Sequence, residues 1–201
     1  MKSTKHTAFI IHLLLALALS GTAALAHAAA ENVELPKNSV YQLATPLVDQ
    51  NGNSFLLAAR RGQPMLVSMF YTSCQYTCPL LISALKHTEA KLTADERQRL
   101  SILIVSFDPA RDDVAKLKRT ASEHGLDPAH WTLARTDAKL ARKLAAVLGI
   151  QYRAMPDGEF NHTSVVVLVD AEGRIIGRTD QLGAADPAFV KLVRQAANSG
   201  S

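Results

Sequence analysis

The chain has 201 residues, of which 48% are hydrophobic and 20% charged, with a formal net charge of +4. That length suits one globular domain with its own core and argues against two domains. The slight positive excess gives no footing for nucleic acid as a partner.

The N-terminus carries Lys2 and Lys5, then an apolar run from Ala8 to Leu19 broken by His12, then Ala26-His27-Ala28. This reads as a secretory signal peptide over 1–28. The apolar run is short of the roughly 20 residues a membrane span needs, and an uncleaved membrane anchor is the alternative. Either outcome exports the domain. Residues 29–37 read as a linker and 38–198 as one domain without internal repeats.

Val40 to Val48 and Ser54 to Ala58, joined by a turn at Asp49-Gln50-Asn51-Gly52, predict an N-terminal β-hairpin. Met65 to Phe70 is apolar except for Ser68, as in a strand covered on both faces. Pro79 to Leu92 has helical spacing, and Thr93-Ala94-Asp95-Glu96 reads as a capping box. Ser101 to Phe107 is a second apolar strand, ended by Asp108-Pro109. Helices follow at Asp112 to His124, before Gly125, and at Asp137 to Leu148, before Gly149, with a short strand at Trp131 to Ala134 between them. Ser164 to Val169 and Arg174 to Arg178 predict two strands about the turn Asp170-Ala171-Glu172-Gly173. Asp186-Pro187 then opens a helix to about Ala197. Strands alternating with helices, then a hairpin and a closing helix, suit an α/β thioredoxin-like sandwich whose central mixed sheet is flanked by helices.

The two cysteines of the chain, Cys74 and Cys78, fall where the first apolar strand gives way to a helix. If the segment between them is helix-like, positions i and i+4 share a face about 6 Å apart. Two thiolates there can meet one copper ion, and the distance is also near the upper end of disulfide geometry. A helix N-terminus favours the thiolate, which is both ligand and nucleophile. In an oxidising compartment such a pair oxidises unless a metal or a thiol reductant protects it. An imidazole added to two thiolates suits copper or zinc. Of the histidines beyond the leader, His87 lies mid-helix, His124 at a helix C-terminus that favours positive charge and His130 beside Trp131, each with an ordinary structural role. His162 lies in the loop Glu159-Phe160-Asn161-His162, just before a predicted strand, where a thioredoxin-like sheet would bring it towards the start of the active-site helix.

Tyr71-Thr72-Ser73-Cys74-Gln75-Tyr76-Thr77-Cys78-Pro79, then Ser106-Phe107-Asp108-Pro109-Ala110-Arg111-Asp112, then Asn161-His162-Thr163-Ser164, in this order and spacing, resemble the Sco/SenC proteins of cytochrome c oxidase assembly. The resemblance runs from about Val40 to Val193. It implies a thioredoxin fold and a periplasmic or inner-membrane-anchored copper protein that matures the CuA site of the oxidase's copper-bearing subunit. It also implies Cys74, Cys78 and His162 as ligands to Cu(I), with Cu(II) as a second state, and a second copper chaperone and a thiol reductant as further partners. Asn161 stands where the family commonly has Asp, and the spacer Gln75-Tyr76-Thr77 lacks the family's usual Pro and acidic residue.

A second function fits the same pair: a thiol-disulfide oxidoreductase, with Cys74 and Cys78 as its redox couple, that reduces the CuA-site cysteines. The three-residue spacer differs from the C-x-x-C of general oxidoreductases. A peroxidase loop would place Pro and Thr where Val67 and Tyr71 stand. Structural zinc normally takes four ligands, and only three are offered. Asp108, Arg111 and Asp112 read as loop architecture, with Arg111 and Asp112 paired at a helix start.

Overall fold

Two uninterrupted apolar runs decide the centre of the fold, because a strand hidden on both faces must carry apolar side chains on both. The structure, a computed structural model, describes residues 34–199. The leader predicted at 1–28 and the first residues of the predicted linker lie outside them.

Strand β3 (Met65–Phe70) is buried at all six positions, and β4 (Ser101–Ser106) at all but the first. They run parallel, in register from Met65 opposite Ser101 to Phe70 opposite Ser106. Around them, β1 (Pro46–Asp49), β2 (Ser54–Leu56), β5 (Trp131–Arg135), β8 (Val166–Val169) and β9 (Ile175–Thr179) complete a seven-stranded mixed sheet in the order β2-β1-β5-β4-β3-β8-β9. The polar exception in β3, Ser68, is satisfied by donating to the Val165 carbonyl at 2.6 Å. The helices are α1 (Thr77–Ala90), α2 (Ala94–Gln98), α3 (Val114–Glu123), α4 (Ala138–Leu148) and α5 (Pro187–Ser199). They flank the sheet as expected of a thioredoxin-like sandwich.

Local signals set most boundaries. Thr93 and Glu96 form the expected capping box. Asp137 accepts from the Leu140 N–H, and Gly149 ends α4 in the left-handed region at φ 68°, a conformation with no Cβ penalty for glycine. The hairpin turn is held by Asp49, whose carboxylate accepts from the N–H groups of Asn51 and Asn53.

Three expectations are corrected. Val40 to Val48 is not one strand: Val40–Gln42 is a 3-10 turn capped by Ser39, whose hydroxyl accepts from the Tyr41 N–H, and pairing starts only at Pro46. Helix α3 starts at Val114 because Asp113, not Asp112, caps it. The segment read as a loop before β8 is a separate two-stranded ribbon of β6 (Tyr152–Ala154) and β7 (Phe160–His162). Its Pro156-Asp157-Gly158 tip, with Gly158 at φ 85°, carries the residue types of a tight turn.

Candidate metal and thiol site

Parallel pairing puts the carboxyl ends of β3 and β4 at the same edge of the sheet, and the chemistry collects there. Beyond β3 the chain turns through Tyr71–Cys74, with the Cys74 N–H donating to the Tyr71 carbonyl at 3.3 Å, and enters α1 at Thr77. Cys74 is therefore outside the helix and Cys78 inside its first turn. Tyr76 occupies the N-cap without a side-chain capping bond. The Cys74 sulfur takes that part, accepting from the Cys78 N–H at 3.3 Å. Pro79 lies in the first turn, where an N–H has no helical acceptor.

The two thiols are unlike. Cys74 is half-buried and Cys78 is 3% exposed. The Cys78 thiol donates to the Cys74 sulfur, and N–H groups of Cys78 and Tyr76 and the His162 ring add to it, so Cys74 is brought down to about 4 against opposing burial. That same donation, together with burial, pushes the Cys78 thiol up. The pair thus holds one proton between two sulfurs, with the negative charge on the more accessible one.

His162, at the end of β7, completes the group: donor atoms of Cys74, Cys78 and His162 all lie within 4.8 Å of one another. His162 is presented from a strand of the ribbon and not from the loop expected before β8. Its Nδ1 is 3.2 Å from the Thr163 carbonyl and 3.3 Å from the Ser164 hydroxyl. In the tautomer that donates Nδ1–H to Thr163 in place of the ring's hydrogen bond to Cys74, Nε2 has its lone pair for a ligand. Three atoms at most 4.8 Å apart share a point within about 2.8 Å of all three, against about 2.3 Å for a zinc–thiolate bond. A contraction of a few tenths of an ångström would close the donors on a soft ion. His87 is exposed and His124 and His130 are half-exposed, and none of them joins this cluster.

An aromatic wall, unforeseen from the sequence, backs the imidazole. Phe107 stacks on Tyr152 at 4.6 Å between centroids and lies 5.3 Å from the His162 ring. Tyr71 meets His162 edge-on at 5.8 Å and Phe160 at 5.1 Å. Its hydroxyl donates to Glu159 at 2.6 Å, and burial followed by this bond pushes the phenol well up. Arg111 lies 5.4 Å over the Phe160 ring and pairs with Asp108. The expected Arg111–Asp112 pair is corrected: Asp112 is buried and accepts instead from Thr72 and Ser106.

A mixed thioredoxin-like sheet with two thiols and an imidazole converging at the carboxyl end of β3 defines a thiol protein competent to hold a soft metal. The sequence model of the SCO1/SenC family matches residues 36–197, and the chain belongs to that family. A Stutzerimonas stutzeri protein provisionally named copper-binding is 25% identical over 135 residues, covering 65% of this chain and 65% of that protein. The chain is similar in structure to a provisionally named electron-transfer protein of Aquifex aeolicus, 24% identical with a TM-score of 0.71, over 81% of this chain and 94% of that one. It is also similar to Bradyrhizobium japonicum ScoI, solved with copper bound: 23% identity, TM-score 0.61, 76% of this chain and 96% of that one. At these identities the two structural likenesses show the fold alone.

Proposed function

We propose that the protein is an exported copper carrier that holds the ion on Cys74, Cys78 and His162 and delivers it to the CuA site of the copper-bearing subunit of cytochrome c oxidase. The observation that carries the reading is the convergence of two sulfurs and one imidazole within 4.8 Å. Two soft donors and one borderline donor suit copper(I) better than the hard cations, and three ligands leave a position through which an acceptor thiolate can enter. Copper is cargo here. Its binding needs both thiolates, so it displaces the Cys78 proton, while Cys74 is already ionised near neutral pH. Membership of the SCO1/SenC family and the copper-binding name of the Stutzerimonas relative support the choice of metal. The family resemblance supports the oxidase as destination, and the leader expected over 1–28 supports export to the periplasm or the inner-membrane surface. Titration of the reduced full-length chain with Cu(I) tests it: one ion per chain, with sulfur and nitrogen donors in the X-ray absorption spectrum, is expected. No binding above that of a Cys74→Ser, Cys78→Ser double variant would overturn it.

The unlike thiols favour a second reading, reduction of the acceptor's cysteines. The Cys74 thiolate would attack an acceptor disulfide and form a mixed disulfide. Cys78, giving up its proton, would then attack the Cys74 sulfur, releasing the acceptor as a dithiol and leaving a Cys74–Cys78 disulfide for an external thiol reductant to restore.

A further inference from the structure

We infer that Asp112 is a positioning residue, latching the loop that carries Cys74 to the end of β4 and so setting the geometry of the thiol pair. After β4 the chain folds back on itself, the N–H groups of Arg111 and Asp112 both donating to the Asp108 carbonyl at 3.1 and 2.9 Å. This returns Asp112, 1% exposed, to the space between the ends of β3 and β4. Its carboxylate accepts from the Thr72 N–H at 3.0 Å, the Thr72 hydroxyl at 2.5 Å and the Ser106 hydroxyl at 2.5 Å. A carboxylate so deeply buried is tolerated because charge-assisted hydrogen bonds replace its water.

Thr72 lies two residues before Cys74, inside the turn closed by the Cys74 N–H and the Tyr71 carbonyl. Gripping both its N–H and its hydroxyl fixes the backbone plane and the rotamer of the residue that launches that turn. The anchor is itself held: Lys116 donates to the Arg111 carbonyl and Arg135 to the Pro109 carbonyl, each at 2.8 Å. The latch thus transfers the rigidity of the parallel sheet to a loop of polar residues, which metal and thiol chemistry need held to about half an ångström.

The inference rests on Cys74 and Cys78 acting as a pair, as in the proposed function, and two readouts separate its failure from that of the copper assignment. The full-length chain is compared with its Thr72→Val, Thr72→Ser and Ser106→Ala variants. One readout is Cu(I) affinity by chelator competition. The other is the equilibrium in which glutathione disulfide oxidises the cysteine pair and leaves two molecules of glutathione, measured without metal. Thr72→Val removes one donor and keeps the shape; Thr72→Ser restores it. Thr72→Val is expected to bind Cu(I) about tenfold more weakly and to shift the disulfide equilibrium by about threefold or more. Thr72→Ser should match the parent, and Ser106→Ala should move in the direction of Thr72→Val, keeping the test readable should Thr72→Val not fold. A difference between the Val and Ser variants in either readout supports the latch. Equality in both, whatever the melting temperatures, overturns it. A parent that binds no Cu(I) would sink the carrier reading and leave the disulfide readout to decide on Asp112.

Discussion

The Tyr71 hydroxyl donates to the Glu159 carboxylate at 2.6 Å, joining residues 88 positions apart in sequence. Tyr71 follows β3, the strand that delivers the cysteines; Glu159 directly precedes the strand that ends in His162. The bond therefore bridges the two pieces of chain from which the site is assembled, and the ring of the same tyrosine meets His162 and Phe160.

Tyr71→Phe should keep the aromatic packing and lose the bridge. The expected cost is about 1 kcal/mol, concentrated in the ribbon. Hydrogen exchange should show faster opening of backbone amides over 152–162 with little change in β3 and β4. Equal protection of ribbon and sheet in the variant would show that the bond does not hold the ribbon.

Alanine at Cys74, Cys78 or His162 should each weaken Cu(I) retention by more than the roughly 10–100-fold typical of residues that only support a ligand. Alanine at His87, His124 or His130 should leave it within about twofold, since none of them belongs to the cluster. Chelator competition on purified proteins checks this. A His162→Ala protein holding copper like the parent would remove the imidazole from the site.

With its thiol lowered to about 4, Cys74 in the reduced, metal-free protein should be alkylated at a nearly constant rate between pH 6 and 8. A thiol of ordinary pKa near 8.5 would speed up about eightyfold over that interval. The same shift has a stability consequence of definite sign. Cys74, depressed in the folded state, adds stability that is complete above the unfolded thiol value and is lost as pH falls from there towards 4. Cys78, raised in the folded state, acts oppositely, costing stability once pH exceeds the unfolded value. Chemical denaturation of the parent against a Cys74→Ser, Cys78→Ser variant should show the difference rising from pH 5 to 8 and falling beyond about 9.

Carrier and reductase part company at His162. A carrier loses its cargo with the imidazole, so His162→Ala should cut assembled oxidase activity at limiting copper nearly as far as Cys74→Ser or Cys78→Ser. A reductase needs its sulfurs alone and should survive the change. Activity is to be read at matched protein levels, so that instability is not taken for lost function. Full oxidase activity in the His162→Ala strain would promote the reductase reading.

What the sequence determined by itself is what local chemistry settles. Buried strands read directly from Met65–Phe70 and Ser101–Ser106, caps from Thr93 and Asp137, and a thiol pair at a helix start from Cys74, Cys78 and Pro79, because each depends on neighbours a few residues away. The family spacing also singled out His162. Tertiary structure alone decided the rest. Short, half-exposed strands such as Tyr152–Ala154 have too few residues to print a period, so the ribbon that presents His162 emerged only from its pairing. The partners of Asp112 and Arg111 could not be read either: a carboxylate beside a guanidinium in sequence suggests a pair, yet the fold-back after β4 turned Asp112 inward to Thr72 and left Arg111 to Asp108. Which donors a buried charge meets is set by the chain that packs over it, and that chain lies about forty residues away for Thr72.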